Sequence, residues 1–175
     1  MRGNVGRYPG KMVGIGCTIL RPTLIYGRGN DKNVAEIARM IVRFGFFPLF
    51  GKAEGKRQPI HARDVALAAI QAVQATEANG KAYNLSGGEV LSYRAMVQRI
   101  FLALGRKPVT PTIPLWLFRS ALRILRMVPR FSKWTPDMAI RMNRDQAFDH
   151  SEATRDFGFE PAPFVLQPSD VGIDG

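Results

Sequence analysis

One cysteine, Cys17, stands in the whole chain, so no intramolecular disulfide can form and folding does not depend on an oxidising compartment. Cys17 lies in the apolar run "GIGCTIL", which predicts a small buried hydrophobe. No apolar run reaches the ~20 residues that a membrane-spanning helix needs. The opening "MRGNVGRYPGKMVG" has positive charge but no continuous apolar stretch, so it does not read as a secretory signal. A cytoplasmic location is the expectation. His61 and His150 are far apart in sequence, and Cys17 has no second ligand at metal spacing, so no metal site is expected. No Ser/His/Asp arrangement follows from spacing, and no internal repeat is present.

Acidic residues are scarce in one long segment. From Val90 to Arg144 eleven Lys and Arg face a single acid, Asp137, so that segment carries +10 of the chain's net +11. Such a block suits nucleic acid, an anionic membrane surface or an anionic small molecule, or it is a solvated basic face. Aromatic interleaving is poor and no base-reading motif occurs, so nucleic acid is not expected.

What is present is ordinary globular material, 46% hydrophobic and 22% charged over 175 residues. Gly16 to Pro22 reads as a short buried strand. Asn33 then opens an amphipathic helix, with Val34, Ile37, Ile41 and Phe44 on the apolar face and Gly45 as its stop. Pro48 makes "FFPLFG" an extended edge or loop. Asp64 is the expected N-cap of the Ala-rich helix "VALAAIQAVQAT", ended by Asn79-Gly80. A strand over Ala82 to Leu85 follows. Ser92 caps "YRAMVQRIFLALG", whose Met96, Val97, Ile100, Phe101 and Leu104 share one side. "KPVTPTIP" is extended. A helix is expected from Leu115 to Val128, another from Thr135-Pro136, and a last short one from Ser151 to Gly158.

Four stretches, "TILRPTLIYGRG", "RQPIHARDVALA", "KAYNLSGGEVLSYRAMV" and "FDHSEATRDFGFEP", resemble in order the C-terminal half of the NAD-dependent epimerase/dehydratase family, the extended short-chain dehydrogenases. The resemblance runs from about residue 16 to about residue 165. It implies an α/β fold. Late strands and helices of a doubly wound, Rossmann-like sheet occupy residues 16–88, and a small, mainly helical substrate lobe occupies 89–165. Residues 1–15 are expected to be a poorly structured lead-in and 166–175 a tail.

The resemblance also implies NAD or NADP as cofactor and a nucleotide-sugar-like substrate. Family members hold the cofactor on a Gly-rich turn and use a Tyr-x-x-x-Lys pair for acid/base chemistry. Neither motif is found here. Tyr8 and Lys11 are three apart rather than four, and are read as incidental. The expectation is therefore a substrate-binding portion, inactive by itself and not expected to bind the cofactor alone. A partial sheet would leave an unpaired edge and an apolar face, favouring homodimer formation or aggregation.

By position, the resemblance puts Pro22, Thr23 and Leu24 beside the nicotinamide end of the cofactor. It puts Asn33 at the start of the substrate-facing helix, where a plain N-cap serves equally well. Phe50 is where the family places the nucleotide base, although a core phenylalanine reads as well. Arg57, in "GKRQPIH", falls where the family has an arginine on the substrate diphosphate. His61 reads as structural. No catalytic residue is assigned.

The helix "PLWLFRSALRILRMVP" aligns Arg119, Arg123 and Arg126 in one stripe against an otherwise apolar body. It reads as a lobe helix with arginines facing solvent or substrate. Alternatively it marks a non-catalytic accessory protein of the same fold, peripheral to an anionic membrane.

Overall fold

The computed structural model describes residues 16–27, 31–117 and 136–171. Tyr8, Lys11 and Thr135 lie outside them, as does all but residues 115–117 of the basic helix; those three residues are helical.

The first strand, β1 (Ile19–Pro22), runs parallel to β6 (Ala82–Leu85), with Ile19 opposite Ala82 and Pro22 opposite Leu85. Pro22 lacks an N–H, but the pairing runs one residue further, where Thr23 N–H donates to Leu85 O at 2.9 Å. A parallel pair needs a long crossover. Here that crossover holds two further parallel partners, β2 (Ile25–Tyr26) and β5 (Ile60–His61), and the helix α2 (Ala62–Gln74). Ala68 and Ala72 of α2 are buried, and their small side chains let the helix pack closely with Ile60, Tyr83 and Leu85.

A second cluster lies beyond. Helix α1 (Val34–Phe44) and helix α3 (Tyr93–Ala103) pack through Val34, Ile37, Ile41, Met96, Val97, Ile100 and Phe101. Short strands frame it. β3 (Leu49–Phe50) is parallel to β8 (Thr112–Ile113), and β4 (Lys56–Arg57) is antiparallel to β7 (Leu91–Ser92). Helix α4 (Pro136–Asn143) lies against β3, and α5 (Ser151–Phe157) lies against α2 and β6. The architecture is the expected α/β arrangement of short parallel strands and helices.

Several local expectations need correction. Cys17 is exposed, and β1 is only half-buried, because among the described residues it pairs on one side alone. Phe44, in the last turn of α1, is 50% exposed. The N-cap of α2 is His61, whose Nδ1 accepts from Arg63 N–H at 3.1 Å. Asp64 sits within the first turn and accepts from Ala162 N–H at 3.0 Å, tying the C-terminal segment to α2. Asn33 occupies the N-cap position of α1 without a side-chain cap bond. The Asp31 carboxylate accepts from Asn33 N–H and Ala35 N–H in its place. His150 precedes α5, and the Asp149 carboxylate accepts from the Ser151 N–H and hydroxyl.

Ser92 does cap α3, accepting from Ala95 N–H at 3.0 Å, and Gly45 ends α1 at φ 76°. The segment after Phe164 is anchored: the Asp170 carboxylate accepts from Gln167 N–H at 2.8 Å and pairs with His61 Nε2 at 3.2 Å. The outer face of α2 presents Leu67, Ile70 and Val73 to solvent, Val73 at 88% exposure.

Candidate functional site

β1 ends at Pro22, and the chain turns through Thr23 and Leu24 into a cavity of about 590 Å³. Its walls come from separate parts of the chain. Asn33, Glu36, Ile37 and Met40 line it from the first turns of α1, and Phe47, Pro48 and Phe50 from β3 and its approach. Arg57 enters from β4, Tyr93 and Met96 from the start of α3, and Arg141 and Met142 from α4. Gln146 and Phe148 complete it from the loop that follows. Thus Thr23, Leu24, Asn33, Phe50 and Arg57 share one cavity, whereas Pro22 is not among its lining residues.

Arg57 is 2% exposed, with its guanidinium largely committed. Nη1 donates to Lys56 O at 2.7 Å and to Arg144 O at 2.8 Å, and Nη2 donates to Arg141 O. The Tyr93 ring lies 5.3 Å from the guanidinium carbon, a cation–π contact. Burial pulls the Arg57 pKa down from the usual arginine value. The same burial pushes the Tyr93 hydroxyl up to about 12, against the opposing pull of Arg57. At neutral pH Tyr93 is therefore protonated and offers a hydrogen bond rather than a base.

Phe50 is both a core residue, 1% exposed, and part of the cavity wall. Asn143 Nδ2 donates to its carbonyl at 2.7 Å and fixes its position against α4. Thr23 and Leu24 spend their polar groups internally. Thr23 N–H donates to Leu85 O at 2.9 Å, the Thr23 hydroxyl donates to Gln58 O, and Leu24 O accepts from Ile60 N–H at 2.9 Å.

Among the described residues the lining holds no histidine, cysteine or serine; its ionisable side chains are Lys32, Glu36, Arg57, Tyr93 and Arg141. A Ser–His contact exists elsewhere. Ser86 Oγ donates to Phe148 O at 2.8 Å and lies 2.6 Å from His150 Nδ1. The hydroxyl has one proton, already given to the carbonyl, so Nδ1–H is the donor of the second bond. His150 therefore cannot act as base toward Ser86, and the pair is a brace. Among the described residues no group of three or more His, Cys, Asp or Glu could hold a metal ion.

Sequence reasoning did not single out Met40, Tyr93, Met96, Met142 or Phe148 as site residues. The first four have helical spacing that reads simply as core, and only the packing of α1, α3 and α4 turns them toward a common space.

The NAD dependent epimerase/dehydratase family model matches residues 6–86. Among curated proteins, the chain is 30% identical over 158 residues to a 2-alkyl-3-oxoalkanoate reductase of Stenotrophomonas maltophilia, covering 81% of this chain and 46% of that protein. It is 23% identical over 149 residues to the UDP-glucose 4-epimerase of Vibrio cholerae, covering 85% of this chain and 43% of that protein. The fold is similar to that of the Thermotoga maritima UDP-glucose 4-epimerase crystallised with UDP-glucose, with a TM-score of 0.59 at 19% identity, covering 91% of this chain and 44% of that one. The chain spans less than half the length of each of these proteins.

Proposed function

This chain belongs to the NAD-dependent epimerase/dehydratase family, and from that premise we propose that the cavity at the end of β1 is the substrate pocket of an NAD(P)-dependent epimerase, dehydratase or reductase. The observation that carries the reading is convergence. Five residues from four separate segments, Thr23, Leu24, Asn33, Phe50 and Arg57, meet at one cavity beyond the carboxyl end of a parallel strand, the position where open α/β sheets bind ligands.

In this reading a nucleotide sugar enters with its base toward Phe50 and its diphosphate toward Asn33 and Lys32, both on the pocket rim. Similarity to epimerases supports that substrate class. Arg57 supports the site as a strut: with three carbonyls to hold, it shapes the pocket rather than forking a diphosphate.

One observation favours a second ligand chemistry for the same pocket. Met40, Met96, Met142, Phe47, Phe50 and Phe148 make much of the wall apolar, and flexible Met side chains suit an alkyl chain. A 3-oxoacid with an alkyl branch, the class named for the Stenotrophomonas relative, fits that wall.

The cofactor is a separate matter. Pro22, Thr23 and Leu24 offer it few groups, because the Thr23 N–H and hydroxyl and the Leu24 carbonyl are spent on Leu85, Gln58 and Ile60. The 175 residues contain neither G-x-x-G-x-x-G nor Tyr-x-x-x-Lys. We therefore propose that this chain binds substrate without turning it over.

Calorimetric titration of the purified chain with UDP-glucose, with a 2-alkyl-3-oxoalkanoate and with NAD or NADP tests these points. Binding of one of the first two, lost in Met40→Trp, which fills the pocket, is the expected result. Failure of the folded chain to bind either refutes the pocket assignment. Oxidation or reduction of the nicotinamide by the chain alone refutes the binding-only role.

A further inference from the structure

We infer that the tip formed by the C-terminal ends of α1 and α3 docks on an anionic phospholipid surface. The two ends are held side by side. Arg106, just after α3, donates from Nη1 to Ile41 O at 3.0 Å and Val42 O at 3.3 Å, and Phe47 N–H donates to Val109 O at 3.0 Å. The tip is apolar where solvent should favour polar groups. Val42 is 41% exposed, Phe44 50%, Phe46 41%, Leu102 64% and Val109 50%. Phe44 and Phe46 lie 6.3 Å apart, ring to ring, and form one patch rather than scattered side chains.

Its charge has a single sign. Arg43, Arg106 and Lys107 are exposed at the tip, and Arg43 lies 5.3 Å over the Phe44 ring. Residues 37–53 and 90–117 contain no Asp or Glu. A helix C-terminus ordinarily presents partial negative charge. Here the Arg106 guanidinium meets two of the last four carbonyls of α1, those of Ile41 and Val42, and sets a cation against that partial charge. Half-exposed aromatic and aliphatic groups ringed by cations match the boundary of a bilayer, where apolar groups enter the acyl region and cations meet headgroup phosphates.

Charge complementarity argues against a second copy of the chain as the occupant. A two-fold contact would set Arg43, Arg106 and Lys107 against their own equivalents, with no acid in either segment to pair them. A nucleic-acid duplex, with its bases stacked inside, would meet the cations but leave Phe44, Phe46 and Leu102 unburied. The tip also differs from the 115–128 helix considered above, and the inference does not depend on the ligand of the pocket.

The test is flotation of the full 175-residue chain with vesicles of phosphatidylcholine alone and of phosphatidylcholine with phosphatidylglycerol. Binding to the anionic vesicles only, weakened by added salt, is expected. The Phe44→Ser/Phe46→Ser variant should lose binding. Arg43→Glu/Lys107→Glu should lose at least about 25-fold, from roughly fivefold for each of the two cations removed. Unchanged near-ultraviolet circular dichroism shows that these variants fold. An independent readout labels Leu102→Cys, in a Cys17→Ser background, with an environment-sensitive dye, and a blue shift with anionic vesicles is expected.

The inference is overturned if anionic vesicles neither float the chain nor shift the dye. It is also overturned if the tip variants bind like the parent while Arg119→Gln/Arg123→Gln/Arg126→Gln abolishes binding. Duplex DNA binding without vesicle binding, or a dimer abolished by Phe44→Ser/Phe46→Ser without vesicle binding, overturns it as well.

Discussion

Arg57→Met is the most informative single change, because it separates a strut from a ligand group. The guanidinium serves three carbonyls, those of Lys56, Arg141 and Arg144. After the change Lys56 O keeps the Gln146 N–H at 2.8 Å, and Arg141 O keeps only the long contact to Arg144 N–H at 3.4 Å. Arg144 O loses its partner. Two weakened or orphaned acceptors cost about 1 kcal/mol or more each. The Tyr93 cation–π contact adds about 0.5–1 kcal/mol. Methionine fills similar volume and removes the desolvation cost of a buried charge, which offsets part of the loss. The net expectation is destabilisation of about 2–3 kcal/mol, read as a fall in the urea midpoint at unchanged slope. Arg57→Lys should recover less than half, since a point charge does not reproduce the planar fork. A stability change below about 1 kcal/mol accompanied by a large loss of ligand affinity would refute the strut and make Arg57 a ligand group.

Gly87→Ala should destabilise by more than about 3 kcal/mol, because the added Cβ would lie 1.9 Å from Pro59 O, backbone against backbone. Gly45→Ala meets nothing within 4 Å and strains only a φ of 76°, for about 1 kcal/mol; equal effects in thermal melts would contradict the packing argument. Lys81 foremost, then Tyr83 and Arg155, hold the Asp156 carboxyl well below the usual carboxylate range. A depressed folded-state pKa stabilises above the ordinary aspartate range and ceases to do so as pH falls toward the folded value. Asp156→Asn should therefore be less stable than the parent at neutral pH, with the gap closing on acidification; a gap that stays constant in urea titrations at both pH values contradicts this. The side of β1 that has no partner among the described residues, and the apolar stripe of α2, should make the chain self-associate. Leu67→Lys/Val73→Lys should lower the mass seen by light scattering, and a clean monomer with a sharp melt before any change would remove the proposal.

The elements whose boundaries were legible are those governed by local chemistry. Ala82–Leu85, capped by no special residue, follows from its alternating pattern between two glycine-bearing turns, and Ser92 and Gly45 act where their own backbone requires them. Caps supplied by a neighbour were less legible. Asp31 reaches over Asn33 to cap α1, and His61 caps α2 only because the β5 backbone delivers it there.

By itself the sequence determined the family, the α/β order of elements and five of the residues that line the pocket, Thr23, Leu24, Asn33, Phe50 and Arg57, since these depend on motif spacing and local periodicity. Only the tertiary structure decided what those residues do. Whether Arg57 faces a ligand or three carbonyls depends on α4, some eighty residues away, which no local pattern around Arg57 contains. The exposure of Phe44 and Cys17 was decided in the same way, because burial belongs to the partner that arrives, and a side chain's own hydrophobicity does not say whether one does.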